Sequence, residues 1–178
     1  CYALENNRWM GKAEWEKKST METVGRAVLF AKEHGITSFA VDEIGVGSGV
    51  ADRLIELEYN VICVNSSEKD PLLPYYNRRA EIHVYAAELL ENGQAELDGT
   101  DKDLVEQLSW AKYRTIKSSG IYQVEAKDDI KKRYGRSPDN ADAYMNGLWA
   151  LPRVKVAVNQ DKYLRGVRRE AVGSGMSI

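Results

Sequence analysis

The segment at residues 38–57, SFAVDEIGVGSGVADRLIEL, limits the possible folds of this chain more than any other. Its apolar start has the pattern of a short buried strand, and this strand ends at Asp42 and Glu43. Alternating glycines over residues 45–49 then predict a turn, and apolar residues at helical spacing follow. Open α/β sheets bind ligands where a strand ends and the next helix begins. We therefore expect a functional site around Asp42.

The rest of the chain predicts a mixed α/β fold. Residues 1–17 alternate as two antiparallel strands, and Ser19 with Glu22 forms the capping box of a following helix. A hairpin, helix, strand, helix and strand in this order are typical of a mixed sheet with helices on its faces. Further elements are predicted as a strand at residues 59–64, a helix at 75–90, a helix capped by Thr100, a strand at 121–125 and a helix opened by Ser137 and Pro138.

The composition is that of a single domain without a membrane segment. The chain has 178 residues and a net charge of -2, so any contact with nucleic acid must come from a local basic cluster. Two cysteines are too few for a disulfide framework, and the sequence contains no apolar run of membrane-spanning length. We therefore expect a cytoplasmic protein with no membrane contact.

The two ends of the chain are predicted to differ from its middle. The chain begins at Cys1, inside a predicted strand, which indicates that the opening part of the sheet is missing or truncated. Beyond Pro152 the apolar periodicity fades and basic residues outnumber acidic ones. We expect residues 1–150 to form the folded domain and residues 151–178 to be a basic, extended or mobile tail.

A second pair of acids, Asp139 and Asp142, lies on one face of the last predicted helix because the two are three residues apart. An acid in the first turn offsets the helix dipole, which accounts for Asp139 but not for Asp142. Together with Asp42, these acids form a set of carboxylates suited to hard divalent cations. Magnesium prefers oxygen ligands, and a pair of such ions serves phosphate chemistry.

A basic segment lies directly upstream of these acids. A charge run of this kind often forms only the solvated face of a helix. Beside an acidic metal site, however, it can also hold a phosphate backbone in place. The sequence leaves both roles open for this segment, which contains Lys127, Lys131, Lys132, Arg133 and Arg136.

Two stretches in this order resemble the nuclease domain of the large terminase subunit of tailed bacteriophages. The first is VDEIGVGSGVADRL at residues 41–54. The second runs from EAKDD at residues 125–129 to SPDNADA at residues 137–143. The resemblance covers the chain up to about residue 150.

The resemblance implies a ribonuclease H-like fold and metal-dependent cutting of viral DNA. By this similarity, Asp42 and Asp139 are catalytic carboxylates, Asp142 is a close companion and Lys127 lies near the site. Mg²⁺ or Mn²⁺ would occupy a two-metal site, and concatemeric double-stranded DNA would be cut with low sequence specificity in the cytoplasm of the infected host. The implied partners are the portal ring, the small terminase subunit and an ATPase domain upstream in the full-length protein.

The sequence departs from the family at its start. The first carboxylate of the family lies on an opening strand upstream of the hairpin, and no acid of this chain is in a matching position. The Walker-type glycine loop of the ATPase motor is also absent from the sequence. The resemblance therefore leaves open whether this fragment binds metal and cuts DNA by itself.

Two other functions are compatible with the sequence. The glycine turn also resembles the first motif of S-adenosylmethionine-dependent methyltransferases, although the preceding hairpin and the lack of an acid before Glu68 at the end of the next strand disfavour it. Alternatively, the acids only cap helices in a non-catalytic module that docks on DNA or on the portal ring. Cofactor binding would support the first alternative, and metal-dependent cutting that Asp42→Ala abolishes would exclude the second.

Overall fold

The computed structural model describes residues 1–116 and 120–154, and these residues form a mixed α/β fold, as predicted. Among the helices of these two ranges, none has the length and apolar character needed to cross a membrane. The elements in chain order are β1 (Tyr2–Glu5), β2 (Arg8–Lys12), α1 (Thr20–Glu33), β3 (Ser38–Asp42), α2 (Gly47–Glu56), β4 (Asn60–Val64), α3 (Arg78–Glu91), α4 (Lys102–Leu108), β5 (Tyr113–Ile116), β6 (Ile121–Val124), α5 (Lys127–Tyr134) and α6, which covers residues 139–154.

The strands pair in three separate two-stranded units within the described residues. β1 and β2 form the predicted antiparallel hairpin, and β5 and β6 form a second one. β3 and β4 are parallel, with Asp42 opposite Val64 at the end of the register. Parallel strands require a crossover, which α2 provides here.

β3 and β4 carry helices on both faces because their side chains alternate. Phe39 and Val41 pack against α1 and α2 on one face. Ala40 and Ile62 pack on the opposite face against the core that contains α6. Residues two apart on a strand share a face, so Asp42 lies on the same side as Ala40, towards α6.

The larger core is centred on α6. Tyr144 and Leu148 are fully buried there, among side chains from β1, β4, α3 and α4. The Tyr144 hydroxyl donates a hydrogen bond to the backbone carbonyl of Glu96 at 2.9 Å, so its buried polar atom is satisfied. This packing fixes α6 and therefore also fixes the acids in its first turn.

Two helix starts differ from the prediction. α3 begins after Asn77 rather than near Tyr75, because the Asn77 side chain caps it. α4 is capped by the carboxylate of Asp101 rather than by Thr100. Asn and Asp oxygens are better N-caps than the Thr hydroxyl, and they define both starts. The capping box of α1, formed by Ser19 and Glu22, is confirmed.

The sequence pattern predicts neither β5 nor α5. β5 is largely exposed and pairs only with β6 among the described residues, so its side chains show no apolar alternation. α5 buries Ile130 alone, and its other side chains are mostly charged. Elements that bury so little apolar surface leave almost no periodic signal in a sequence.

α6 extends beyond the predicted end of the domain. It continues through residue 154, so residues 151–154 of the predicted tail are helical. The helix itself begins at residue 139, directly after Pro138. The prediction of an extended or mobile tail otherwise concerns residues 155–178, which lie outside the described residues.

The glycine turn joins β3 to α2 by a close backbone approach. Gly45 has a φ of 72°, a conformation that favours glycine. A Cβ atom added at Gly47 would lie 1.6 Å from the carbonyl oxygen of Asp42. Because no side chain fits there, Gly47 allows α2 to start directly against the backbone of Asp42.

Replacing Gly47 with alanine should destabilise the protein, because the added methyl group forces the turn open. We expect a loss of about 1–3 kcal/mol in the free energy of unfolding, measured with urea. Gly25→Ala in α1 is the matched control, since nothing lies within 4 Å of an added Cβ there. It should gain roughly 0.5–1 kcal/mol from helix propensity. Unchanged stability of Gly47→Ala would contradict the close contact.

Candidate functional site

A cavity of about 430 Å³ lies between β1, β3 and α6. Small residues of α6, Ala143 and Gly147 among them, line it, which leaves room between the helix and the strands. Four predicted site residues line this cavity, namely Asp42, Lys127, Asp139 and Asp142. Asp42 comes from the end of β3, Lys127 from the start of α5 and the other two from the first turn of α6.

Two strand edges border the cavity. Among the described residues, β1 pairs only with β2, and β3 pairs only with β4. Residues 1–5 and 36–40 both contribute to the lining, so the unpaired edges of β1 and β3 face one common space. An unpaired edge presents free backbone donors and acceptors, which pair readily with an added strand.

Asp42 rather than its neighbour faces the cavity. Its side chain lines the space together with Ala40, whereas Glu43 is not part of the lining. The strand alternation predicts that only one of these two acids enters a given cleft. One carboxylate oxygen of Asp42, Oδ1, accepts a hydrogen bond from the backbone N–H of Ile44 at 3.1 Å.

Lys127 joins the two acids of α6. Its Nζ lies 2.8 Å from Oδ1 of Asp139 and 3.0 Å from Oδ2 of Asp142. Burial would lower the pKa of Lys127, but Asp142 and Asp139 outweigh it and hold the pKa above its usual value. A positive charge therefore lies between two carboxylates.

Asp142 is far more sheltered than Asp139. Its side chain is 12% exposed, against 73% for Asp139. Arg79 donates to its Oδ1 at 2.7 Å from the opposite side to Lys127. Burial would raise the pKa of Asp142, but the charges of Arg79 and Lys127 outweigh it, so the pKa lies below its usual value. Asp142 is held as an anion between two cations.

The pattern-based reasoning misses two residues at this site, Arg79 and His83. They are four residues apart on α3 and therefore share one face of that helix. The His83 Nε2 atom lies 3.8 Å from Oδ1 of Asp142 and has no hydrogen-bond partner in the described part of the chain. A basic residue four positions before a histidine is the only signal in the sequence, and it does not indicate which acid they approach.

The basic segment divides into two groups. Arg133 pairs with Glu125, and Arg136 pairs with Asp103 at 2.8 Å, so both hold α5 against neighbouring elements. Lys131 and Lys132 are exposed on α5, with Lys132 3.2 Å from Asp129. Both side chains are exposed about one turn beyond Lys127 on the same helix.

The glycine turn contributes nothing to the described lining of the cavity. Gly47 instead allows the close contact between α2 and the backbone of Asp42. In a methyltransferase the turn would have to border the cofactor pocket. The structure thus gives the glycines a packing role.

The acids could hold a divalent cation, but not as a complete preformed cage. Within residues 1–116 and 120–154, no three His, Cys, Asp or Glu side chains are grouped closely enough to form one. Two carboxylates nevertheless already share one cation, the Lys127 ammonium. Magnesium commonly takes only one or two carboxylates from a protein and keeps several waters, so this donor set fits it.

The fold is similar to that of solved terminase nuclease domains. One match is the nuclease domain of the large terminase subunit gp2 of bacterial virus Sf6, in a lysine-to-alanine variant with manganese and β-thujaplicinol. The TM-score is 0.68 at 18% identity, and the match covers 80% of this chain and 78% of that chain. The Sf6 domain without the substitution gives 0.65 at 18% identity and the same coverage. The large terminase nuclease of thermophilic phage G20c gives 0.51 at 19% identity, over 79% and 67%.

These matches show that the chain has the fold of phage terminase nuclease domains. They confirm the predicted ribonuclease H-like class of mixed α/β sheet flanked by helices. No protein-family model matches the sequence, and no curated protein matches it. At 18–19% identity the likeness is one of fold.

His83 should make the metal-free protein less stable in mild acid. Burial, reinforced by Arg79, lowers the pKa of His83 to about 3 from 6.5, while Asp142 acts in the opposite direction. The unfolded chain takes up a proton near pH 6.5, but the folded one stays neutral. The titration of His83 therefore leaves the free energy of unfolding unchanged above pH 6.5 and lowers it as the pH falls from 6.5 towards 3.

Below about pH 6, the wild type should lose up to about 1.4 kcal/mol per pH unit relative to His83→Gln, which lacks this proton uptake. Urea unfolding between pH 7 and pH 4.5 with EDTA present measures the difference. Parallel pH dependences of the two proteins would show that His83 is not held neutral.

Proposed function

We propose that this chain is the nuclease domain of a phage large terminase, a metal-dependent endonuclease that cuts concatemeric double-stranded DNA during genome packaging. The observation that carries the proposal is one cavity lined by Asp42, Asp139 and Asp142, with Lys127 bound between the last two. The likeness of the fold to terminase nuclease domains supports the same reaction.

Mg²⁺ or Mn²⁺ is the proposed cofactor, with Asp42, Asp139 and Asp142 as ligands. Structures of the Sf6 domain with manganese and with calcium support the use of divalent ions. When bound, a pair of such ions would supply Lewis-acid activation of a water and of the scissile phosphate. Hard cations fit this site because every acidic donor in it is a carboxylate oxygen.

Lys127 has two roles in the proposed site. Without metal, its ammonium neutralises Asp139 and Asp142 and keeps two like charges from repelling each other. Its side chain is 38% exposed, so it can turn towards the cavity opening when a cation takes its place. It then presents a positive charge to the phosphate backbone of the DNA. Lys127 therefore connects the acids of the site with the substrate.

The proposed DNA contacts follow α5. Lys131 and Lys132 are exposed one turn beyond Lys127 and give phosphate contacts that do not depend on base sequence. Arg133 and Arg136 are also proposed to contact DNA, although both must share their charge with acids of the protein. Phosphate contacts alone agree with the proposed low sequence specificity.

The unpaired edges of β1 and β3 could pair with an additional strand, and such a strand could carry a further carboxylate. A strand that pairs with either edge would border the cavity that Asp42 lines. We therefore propose that a further catalytic acid is supplied on such a strand and that cutting requires it. In the assembled packaging machine, the proposed partners are the ATPase domain, the small terminase subunit and the portal ring, in the host cytoplasm.

In the full-length protein, Asp42→Asn and Asp142→Asn should each lower the rate of plasmid cutting with Mn²⁺ by more than about 100-fold, which exceeds the loss expected for a residue that only supports a ligand. Agarose gel assays of supercoiled plasmid measure the rate, and EDTA should stop the reaction. Asp52→Asn, on the exposed face of α2, is the matched control and should cut normally. Cutting that is indifferent to Asp42 and Asp142 would leave only a docking role for the domain.

A further inference from the structure

Arg79 lies behind Asp142 as seen from the cavity. We propose that Arg79 is a positioning residue that restricts Asp142 to binding metal through one oxygen, Oδ2, and thereby makes the site discriminate against calcium. This inference rests on the proposed function, because it concerns the metal that Asp142 would hold. It assigns a role to a residue that the sequence pattern does not single out.

The two oxygens of Asp142 face different surroundings. Oδ1 accepts from Arg79 Nη1 at 2.7 Å, and the side chains of both residues are only 12% exposed. Oδ2 meets Lys127, which lines the large cavity and is more exposed. Arg79 does not line that cavity but a second, very small space of about 10 Å³ on the other side of Asp142. A cation that enters from the large cavity therefore reaches Oδ2 first.

Arg79 is held firmly in this place. Its backbone N–H donates to the carbonyl of Ser66 at 3.1 Å at the start of α3. The Nε and Nη2 atoms of its guanidinium are buried and have no hydrogen-bond partner in the described residues, so Nη1 makes the bond to Asp142. His83 closes the same side, with Nε2 3.8 Å from Oδ1. If Asp142 turned away, the guanidinium would lose its one described acceptor, so the carboxylate is locked in orientation.

A carboxylate locked in this way suits small cations better than large ones. Calcium takes 6–8 oxygen ligands and often binds a carboxylate through both oxygens, whereas Mg²⁺ requires near-octahedral geometry with single-oxygen contacts. Since Arg79 occupies Oδ1, two-oxygen binding by Asp142 would require breaking a sheltered, charge-assisted hydrogen bond. The Arg79 contact therefore lowers the affinity of the site for Ca²⁺ and leaves its affinity for Mg²⁺ and Mn²⁺ unchanged.

The test is metal binding rather than cutting. Mn²⁺ binding is followed by electron paramagnetic resonance, with Ca²⁺ as competitor, for the wild type, Arg79→Met and Arg79→Lys. In Arg79→Met, the affinity for Ca²⁺ relative to Mn²⁺ should rise by about tenfold, the lower end of effects seen for residues that orient metal ligands. Arg79→Lys should give an intermediate ratio. Arg78→Met is the matched control, because Arg78 pairs with Glu68 and Glu81 instead, and its ratio should equal that of the wild type.

The possible failures are distinguishable. If Mn²⁺ binds the wild type and is lost in Asp142→Asn, but Arg79→Met and Arg79→Lys keep the wild-type ratio, the role of Arg79 is wrong and the proposed nuclease site stands. If the wild type binds no Mn²⁺, or if Asp142→Asn binds it as the wild type does, Asp142 is not a ligand and both proposals fall. Should Arg79→Met not fold, as judged by circular dichroism, the ratio for Arg79→Lys decides by itself.

Discussion

The ion pairs of Asp142 with Arg79 and Lys127 join three helices at one sheltered carboxylate. Arg79 comes from α3, Lys127 from α5 and Asp142 from α6. A carboxylate with so little exposure is stable only when it is paired, because the loss of hydration must be offset by nearby cations. The site is therefore part of what holds the helices in register, and its acids do not move independently of the fold.

The same fold that supports these ion pairs leaves a gap beside them. The unpaired edges of β1 and β3 border the cavity, and small side chains of α6 form part of its wall. Asp42 reaches this space because strand alternation places it on the side of Ala40, towards α6, and because Gly47 lets α2 begin without displacing it. The packing of α2 against β3 at Gly47 thus also helps to set the position of Asp42.

Much of the fold was predictable from local chemistry. The Ser19 and Glu22 capping box, the antiparallel hairpin and the strand that ends at Asp42 each depend on residues close together in the chain. α5 and β5 were not predictable, because they bury too little apolar surface to produce a period. The family resemblance predicted one site for Asp42, Lys127 and the acids of α6, and all four residues line one cavity. The part of Arg79 was not predicted, because no local pattern indicates which acid a basic residue approaches.

The sequence by itself determined which side chains carry charge and where most helices and strands begin, because caps, glycine turns and periodicity act over a few residues. Only the tertiary structure decided which cation pairs with which acid, and that Asp142 is sheltered while Asp139 remains exposed. The physical reason is that charge pairing depends on distance in space and on the exclusion of water. Both are set by the packing of α3, α5 and α6, elements that are distant along the chain.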